Sequence, residues 1–201
     1  MPHTVKAPDK RKEEILDAAR QLFFSRGYAK TTITDIIESA DISKGLFYYY
    51  FSSKEDILDE IVEQVIAQDV AALTDIAQDG QRTVPERLIA MFHQHRAVMA
   101  DSSNQVAAHL CAIQSPEIVI RVIRSGVLSL TPIFACVVEE GVRQGIFDIA
   151  DPAGCVEVLL GAYTFGAVFG DVTHQEGRVE AFRNVLERAL GAAPMTLACH
   201  N

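Results

Sequence analysis

Apolar residues recur along most of this chain at the three- and four-residue spacing of an amphipathic α-helix. Helix-starting residues such as Ser, Thr and Asp, and helix-ending residues such as Gly, stand between these segments. The pattern predicts an all-α protein. The expected helices cover about residues 10–26, 32–40, 43–51, 53–78, 84–100, 103–113, 115–144, 152–170 and 175–190.

Residues 32–54 hold two short helices that meet at a tight polar junction. Thr32 and Asp35 form a capping box for the first helix, and Ser43 is a good N-cap for the second. Phe47 and Phe51 lie four residues apart, so they share the face that turns toward the core. A capped N-terminus beside a lysine and tyrosines suits the phosphates of a duplex. The pattern alone is equally typical of an ordinary helical hairpin with exposed aromatic residues.

Residues 12–58 resemble the DNA-binding domain of the TetR family of bacterial transcriptional regulators. The resemblance rests on the helix end AARQLFFSRGY and on the run TTITDIIESADISKGLFYYYFSSKEDIL, with its paired threonines, SKG junction and aromatic residues. Two positions depart from the family pattern: Asp41 stands where Gly is usual, and Tyr50 stands where His is frequent. Asp tolerates the left-handed backbone better than most residues, and the change at Tyr50 affects one phosphate contact.

The resemblance implies an N-terminal three-helix helix-turn-helix head, joined by a long helix to a C-terminal helical ligand-binding and dimerisation domain. It also implies a homodimer formed through the last two helices, whose heads bind the half-sites of a palindromic double-stranded DNA operator about 34 Å apart. The expected function is transcriptional regulation, most often repression, with release from the operator by a small-molecule effector. The alternative is a helical ligand-binding or protein-interaction module that does not bind DNA.

Each part of the helix-turn-helix has an expected role on DNA. The side chains expected to bind phosphates are Thr32, Thr34, Ser43, Lys44, Tyr48, Tyr49 and Lys54. Gly45 and Leu46 are expected to lie closest to the bases, because Gly allows close approach and Leu can touch a thymine methyl. Few side chains are therefore expected to form hydrogen bonds to the bases, and DNA shape is expected to supply part of the sequence specificity.

The net charge of the chain changes sign after Lys54. The formal charge is −9 for all 201 residues, but residues 1–54 hold nine basic and seven acidic residues, which leaves −11 for residues 55–201. Every lysine lies at or before position 54. This asymmetry suits a DNA-binding domain over residues 1–54, with a flexible basic arm, on an acidic effector-binding and dimerisation domain over residues 55–201.

The helix that starts at Ser53 is too long for the head alone. Some 26 residues at 1.5 Å each span about 39 Å, so this helix must join the head to the body. The segment 152–170 is rich in glycine, which predicts close helix packing as compensation. We find neither a signal sequence nor an uncharged apolar run of membrane-spanning length, so a cytoplasmic protein without a membrane partner is expected.

No catalytic, phosphate-binding or metal motif occurs in the sequence, and its four cysteines lie far apart. We therefore expect no enzyme activity, no cofactor and no metal site. The expected site in the body is an apolar cavity for an unknown, largely apolar effector. Its candidate lining residues, each of which could also simply fill the core, are Phe92, His95, Met99, His109, Cys111, Phe134, Tyr163 and Phe165.

Overall fold

The computed structural model describes residues 8–100, 116–169 and 175–197. Within these ranges the chain forms helices and no strand, which confirms the predicted all-α fold class. The helices are α1 (Pro8–Arg26), α2 (Ile33–Ser39), α3 (Lys44–Tyr50), α4 (Lys54–Ala77), α5 (Val84–Ala100), α6 (Pro116–Arg143), α7 (Pro152–Phe169) and α8 (Gln175–Ala189). Several predicted features lie outside the described residues: the start of the basic arm, the helix over 103–113, the side chain of Met99, His109 and Cys111.

The head consists of α1, α2, α3 and the first turns of α4 around one apolar cluster. Gly27, at φ +84°, ends α1 as predicted, because glycine adopts the left-handed backbone without steric cost. Val119, near the start of α6, is also buried in this cluster, so a helix of the body contributes to the apolar core of the head. The buried members are Ile15, Leu16, Ala19, Leu22, Phe23, Tyr28, Ile36, Phe47, Phe51, Ile57, Leu58, Ile61, Val62 and Val119.

Helix α4 joins the head to the body. Its apolar residues pack into the head cluster from Ile57 to Ile66 and into the body cluster from Val70 to Ala77. The helix ends at Ala77, close to the predicted end at about residue 78. Packing thus continues across the predicted boundary after Lys54, which marks the change in charge and not the edge of the head core.

Side-chain hydrogen bonds of the capping residues fix the start of α4. Ser53 is the N-cap, and its hydroxyl accepts a hydrogen bond of 3.0 Å from the amide of Asp56, as expected. The Asp56 carboxylate accepts from the amide of Ser52, at 2.9 Å, one residue before the N-cap. The carboxylate takes this partner because it also accepts from the hydroxyls of both adjacent serines.

Helix α6 packs against α4, α5 and α7 and continues through Pro132. Residues Val119–Arg143 are long and apolar enough to cross a membrane, a criterion that the core helix of a soluble protein also meets. Here this helix buries Leu130, Phe134 and Val138 in the body cluster. The predicted close packing of the glycines in α7 is not seen at Gly161 or Gly166, because a Cβ at either position would meet nothing among the described residues.

The chain after α8 is packed against that helix, at least to residue 197. Leu197 is buried, and its amide donates a hydrogen bond of 2.9 Å to Glu187 Oε1. The amide of Met195 donates to the other oxygen of this carboxylate, at 3.3 Å. These bonds satisfy the buried Glu187 side chain, a tertiary contact that local sequence signals do not reveal.

Candidate DNA-binding surface and effector site

Helix α3 presents its N-terminus to solvent. Ser43 is the N-cap, as predicted, and its hydroxyl accepts a hydrogen bond of 3.2 Å from the amide of Leu46. Lys44 and Gly45 are exposed, and a Cβ added at Gly45 would meet no described atom within 4 Å. The first turn of α3 therefore leaves free helix amides and a basic side chain on an uncovered surface, which is the chemistry that binds a phosphate.

The aromatic residues of α3 divide between core and surface. Phe47 and Phe51 are buried, which confirms the predicted inward face. Tyr48 is half exposed, and its ring lies 5.9 Å from Lys44 Nζ. Tyr49 is 76% exposed and contacts the half-buried Tyr50 edge to face. The two exposed hydroxyls are thus held on the same short helix as Lys44.

The turn before α3 adopts a left-handed backbone conformation at Asp41, without a glycine. Asp41 adopts φ 49°, the left-handed conformation expected at this position. Its amide donates to Glu38 O at 3.2 Å, and the amide of Ile42 donates to Ile37 O at 3.2 Å. These two bonds form a Schellman motif, in which the last carbonyls of α2 find partners. The angle between α2 and α3 is therefore set by the backbone itself.

Thr32 and Asp35 form the predicted capping box at the start of α2. The amide of Asp35 donates to the Thr32 hydroxyl at 3.1 Å, and the amide of Thr32 donates to Asp35 Oδ2 at 2.7 Å. Hydrogen bonds from the hydroxyl and the amide of Thr32 hold the pKa of Asp35 below its ordinary value. The Thr32 hydroxyl is thus already used within the head, whereas the nearby Thr34 is exposed.

The side chain of Lys54 forms hydrogen bonds within the head. Its Nζ donates to the carbonyls of Tyr28, at 2.7 Å, and Thr31, at 2.9 Å, and lies 4.2 Å from the centre of the Tyr28 ring. Burial lowers the pKa of Lys54, and burial followed by the neighbouring Glu55 raises the pKa of Tyr28. Lys54 therefore ties the loop between α1 and α2 to the start of α4, a role that the sequence pattern did not indicate.

Most other cations of the head are also paired within the protein. Each has an acidic partner within 3.2 Å: Arg11 with Glu14, Lys12 with Glu60, Arg20 with Glu13 and Asp17, and Arg26 with Asp35. Within residues 10–53, Lys10, Lys30 and Lys44 have no such partner. Of these three, Lys44 is the one that lies at the N-terminus of α3.

The body brings four aromatic rings together between helices that are far apart in sequence. Phe92 of α5 lies 4.8 Å from Phe134, 5.2 Å from Tyr163 and 5.0 Å from Phe182, measured between ring centres. The Tyr163 hydroxyl donates to the Phe92 carbonyl at 3.3 Å, and burial raises the pKa of this tyrosine. Three predicted lining residues thus share one cluster, which Phe182 of α8 completes.

A buried polar network adjoins this aromatic cluster. His95 Nδ1 lies 2.7 Å from Asp69 Oδ2, and His95 Nε2 lies 3.0 Å from the hydroxyl of Thr164. The exposed fractions are 3% for Asp69, 4% for His95 and 5% for Thr164. The His95 ring lies 6.3 Å from the ring of Tyr163. The network therefore connects α4, α5 and α7 inside the body.

The sequence analysis identified His95 but missed Asp69 and Thr164. Asp69 lies four residues after Val65 and four before Leu73, an apolar register in which a lone acid is unusual. That mismatch is a sequence signal for a buried polar group at Asp69. No such signal marks Thr164, because a threonine on a buried helix is common. Phe165, another predicted lining residue, is not part of this buried cluster: its side chain is 56% exposed, on the side of α7 that also exposes Val158.

No group of three or more His, Cys, Asp or Glu side chains that could hold a metal ion is found in the described part of the chain. His93 and His95, two residues apart on α5, face different ways: His93 is exposed and His95 is buried. Burial of Cys155 raises the pKa of its thiol, with the charge of Asp151 as a second cause, so this cysteine is a poor nucleophile.

The head matches a known family of regulators. The family described as "Bacterial regulatory proteins, tetR family" matches residues 15–61. The repressor NemR of Escherichia coli K12 is 27% identical over 107 residues, 50% of this chain and 54% of NemR. The repressor KstR2 of Mycolicibacterium smegmatis is 37% identical over 65 residues, 32% of each chain. The aligned part of this chain thus spans about half of NemR and a third of KstR2.

Structural similarity extends over nearly the whole chain. The crystal structure of a TetR/AcrR-family transcriptional regulator from Thermobifida fusca superimposes with a TM-score of 0.64 and 27% identity. The superposition covers 96% of this chain and 99% of that one. The body therefore has the same fold as a member of this family, although the sequence alignments with the two repressors cover only 50% and 32% of this chain.

Proposed function

The chain belongs to the TetR family of bacterial regulatory proteins, and from this we propose that it is a DNA-binding transcriptional repressor released by a small molecule. The relatives NemR and KstR2 are named as transcriptional repressors, which supports repression here. A soluble cytoplasmic protein is the corresponding expectation, as for other regulators of this family.

The exposed first turn of α3 is the observation that carries the proposal. Lys44 is unpaired there, Gly45 has open space above it, and the hydroxyls of Tyr48 and Tyr49 lie one to two turns further along. A duplex that docks on this turn meets a cation, free amides and phenols, all suited to phosphate oxygens. Leu46 and Gly45 then lie nearest the bases. Ser43 and Thr34 flank the same surface.

Dimerisation through α7 and α8 is part of the proposal. These helices expose Val158, Phe165 and Val185, and a Cβ added at Gly161 would meet no described atom within 4 Å, so a second copy would bury an apolar face against small residues. Two heads related by twofold symmetry would then fit a palindromic operator. The solution mass should be about twice the 22.1 kDa of one chain.

Helix α4 is the proposed link between effector and DNA. It carries Ile57 and Leu58 in the head core and Leu73 in the body core, so a shift at its body end moves the head. An effector needs only to bind the released conformation more tightly, and a coupling of about 1–3 kcal/mol changes DNA affinity about 5- to 150-fold.

The proposal is tested by titrating labelled DNA from the protein's own promoter region at several salt concentrations. Lys44→Ala should weaken binding on every sequence and lower the slope of log affinity against log salt by roughly one per subunit, because one phosphate contact is lost. Arg143→Ala is the control: it removes one positive charge from an exposed position of the body and should leave the slope unchanged.

Two results would contradict the proposal in different ways. If the Lys44→Ala slope equals that of the wild type, Lys44 does not bind phosphate. If the wild-type protein has no affinity for duplex DNA at any salt concentration, the alternative of a ligand-binding or protein-interaction module is correct.

A further inference from the structure

One carboxylate oxygen in the body is buried without a hydrogen-bond donor. Asp69 Oδ2 is 2.7 Å from His95 Nδ1, but Asp69 Oδ1 has no partner among the described residues and almost no contact with solvent. A buried acceptor that has lost water without gaining a donor is costly, and a charged one especially so. The unpaired oxygen is therefore unexplained by the fold alone.

The neighbours of Asp69 are already satisfied. Both ring nitrogens of His95 have partners, Asp69 on one side and the Thr164 hydroxyl on the other. The hydrogen bond between Asp69 Oδ2 and His95 Nδ1 holds one proton, on the ring nitrogen or on Oδ2, and in both arrangements Asp69 Oδ1 carries no proton and can only accept. The network thus leaves one open position, and that position requires a donor.

The residues around Asp69 indicate the chemistry of the remainder of the missing hydrogen-bond partner. His95 lies beside Tyr163, which packs against Phe92 and Phe182 at 5.2 and 4.5 Å between ring centres. Ligand sites typically combine such apolar and aromatic walls with a few polar groups that orient the ligand. A molecule with an apolar or aromatic body and one hydroxyl or amine donor satisfies both features.

We propose that Asp69 is the polar anchor of the effector site, and that the effector is a small apolar or aromatic molecule that donates a hydrogen bond to Asp69 Oδ1. The proposal rests on the proposed function, because it names the chemistry of the molecule that would release the repressor. It also explains why an acid interrupts the apolar face of α4.

The position of Asp69 suits an anchor that controls the head. Ile66, three residues earlier, packs on the head cluster, and Val70, one residue later, packs on the body cluster. An effector held by Asp69 therefore contacts α4 where the helix passes from one core to the other. Binding energy that depends on the orientation of this turn biases the whole helix.

The test uses two probes of nearly the same shape, phenol, which has a donor, and anisole, which has only an acceptor. Calorimetry on the full-length wild-type protein should show about tenfold or greater preference for phenol, the factor expected for a hydrogen bond to a charged group. In a crystal structure with phenol, the phenol oxygen should lie within hydrogen-bond distance of Asp69 Oδ1. Binding in which a water stays on Oδ1, or equal affinity for the two probes, overturns the proposal.

The variant Asp69→Asn sharpens the test. His95 keeps its acceptor if the amide oxygen replaces Oδ2, so the amide NH₂ takes the place of Oδ1 and turns the open position from acceptor into donor. The preference for phenol should then vanish or reverse. Asp75→Asn, on an exposed turn of the same helix, should retain it. An unchanged preference in a folded Asp69→Asn protein also overturns the proposal; if the variant does not fold, the wild-type crystal structure decides.

A gel shift on the same samples separates this inference from the proposed function. If the wild-type protein binds promoter DNA but shows no preference between the probes, the proposed function stands and the proposal that Asp69 is the anchor fails. If the protein prefers phenol through Asp69 but never binds DNA, the proposed ligand site stands and the proposed repressor function fails.

Discussion

The head and the body of this protein place their functional groups in opposite environments. In the head, the candidate groups of α3 are exposed, and short-range bonds such as Ser43 to Leu46 hold them in place. In the body, Asp69, His95 and Thr164 are buried, and their partners lie 26 and 69 residues apart in sequence. The head thus presents its candidate groups on a preformed surface, whereas the body encloses its polar groups between helices.

This difference predicts different consequences of mutation. A side chain on the head surface can be removed without leaving an unpaired group behind, so DNA affinity falls while stability stays nearly constant. Removal of one member of the body network leaves a buried polar group without its partner, so stability falls as well. Function and stability should therefore separate in the head and remain coupled in the body.

The largest expected effect is that of His95→Ala. It leaves the Asp69 carboxyl group buried without the one hydrogen-bond partner that the described residues give it, and we expect a loss of about 3–5 kcal/mol in the free energy of unfolding, as for other broken buried pairs. Urea unfolding followed by circular dichroism measures it. His93→Ala, two residues away on the exposed side of α5, is the matched control and should change stability by less than about 0.5 kcal/mol.

The double variant Asp69→Leu with His95→Leu distinguishes pairing from packing. Replacing both polar groups with apolar ones removes the unpaired charge, so stability should recover to within about 1–2 kcal/mol of the wild type. If the double variant is as unstable as His95→Ala, the loss comes from altered packing, and the contrast between body and head is weaker than we describe.

The same difference explains which parts of the structure the sequence could predict. The caps at Thr32 and Ser43, the left-handed Asp41 and the stop at Gly27 all depend on residues within five positions, so local chemistry determines them. The helices of the body were predicted for the same reason. The pairing of Asp69 with His95 depends on how those helices pack, which hydrophobic periodicity does not specify.

Lys54 and Phe165 show the same limit at single residues. Both were assigned by residue type and by the family pattern. Lys54 binds two carbonyls of a loop more than twenty residues away, and Phe165 turns outward because Tyr163 and Thr164 occupy the inner side of α7. Which way a helix faces is a tertiary property, so residue type and family pattern do not reveal the surroundings of these two side chains.

A pair of glycine substitutions gives an intermediate effect and tests the comparison directly. In the body, a Cβ at Gly141 would overlap the buried Phe147 ring and lie 3.1 Å from Val84 Cγ1, so Gly141→Ala should cost about 1–3 kcal/mol. In the head, Gly45 has no neighbour within 4 Å, so Gly45→Ala should stabilise α3 by up to about 1 kcal/mol.

The opposite result is expected for DNA binding. Gly45→Ala should weaken operator binding, because the added methyl group lies where we expect the bases to approach, while thermal stability is kept or improved. Gly141→Ala should retain operator affinity at temperatures where it is folded. A Gly45→Ala protein that is stable and binds DNA normally would place the bases elsewhere on the head.

The smallest expected effect concerns two carboxyl groups with lowered pKa values. A hydrogen bond from the neutral Thr32 hydroxyl is the main cause of the low pKa of Asp35 in the head. The Arg87 side chain, 2.6 Å away, is the main cause of the low pKa of Glu140 in the body. Because each folded pKa lies below the unfolded one, both groups contribute stability above about pH 4 to 4.5, and this contribution is lost as the pH falls through the folded pKa.

Salt should separate the two carboxyl groups. The attraction between Glu140 and the charged Arg87 is screened at 1 M salt, where the Debye length is about 3 Å, so the pKa of Glu140 should rise more than that of Asp35 in an NMR titration. Thr32→Val should raise the pKa of Asp35 at any salt concentration, and acidification should then cost that variant less stability than the wild type. If salt raises the pKa of Asp35 as much as that of Glu140, the nearby Arg26 controls Asp35, and the head depends on paired charge as the body does.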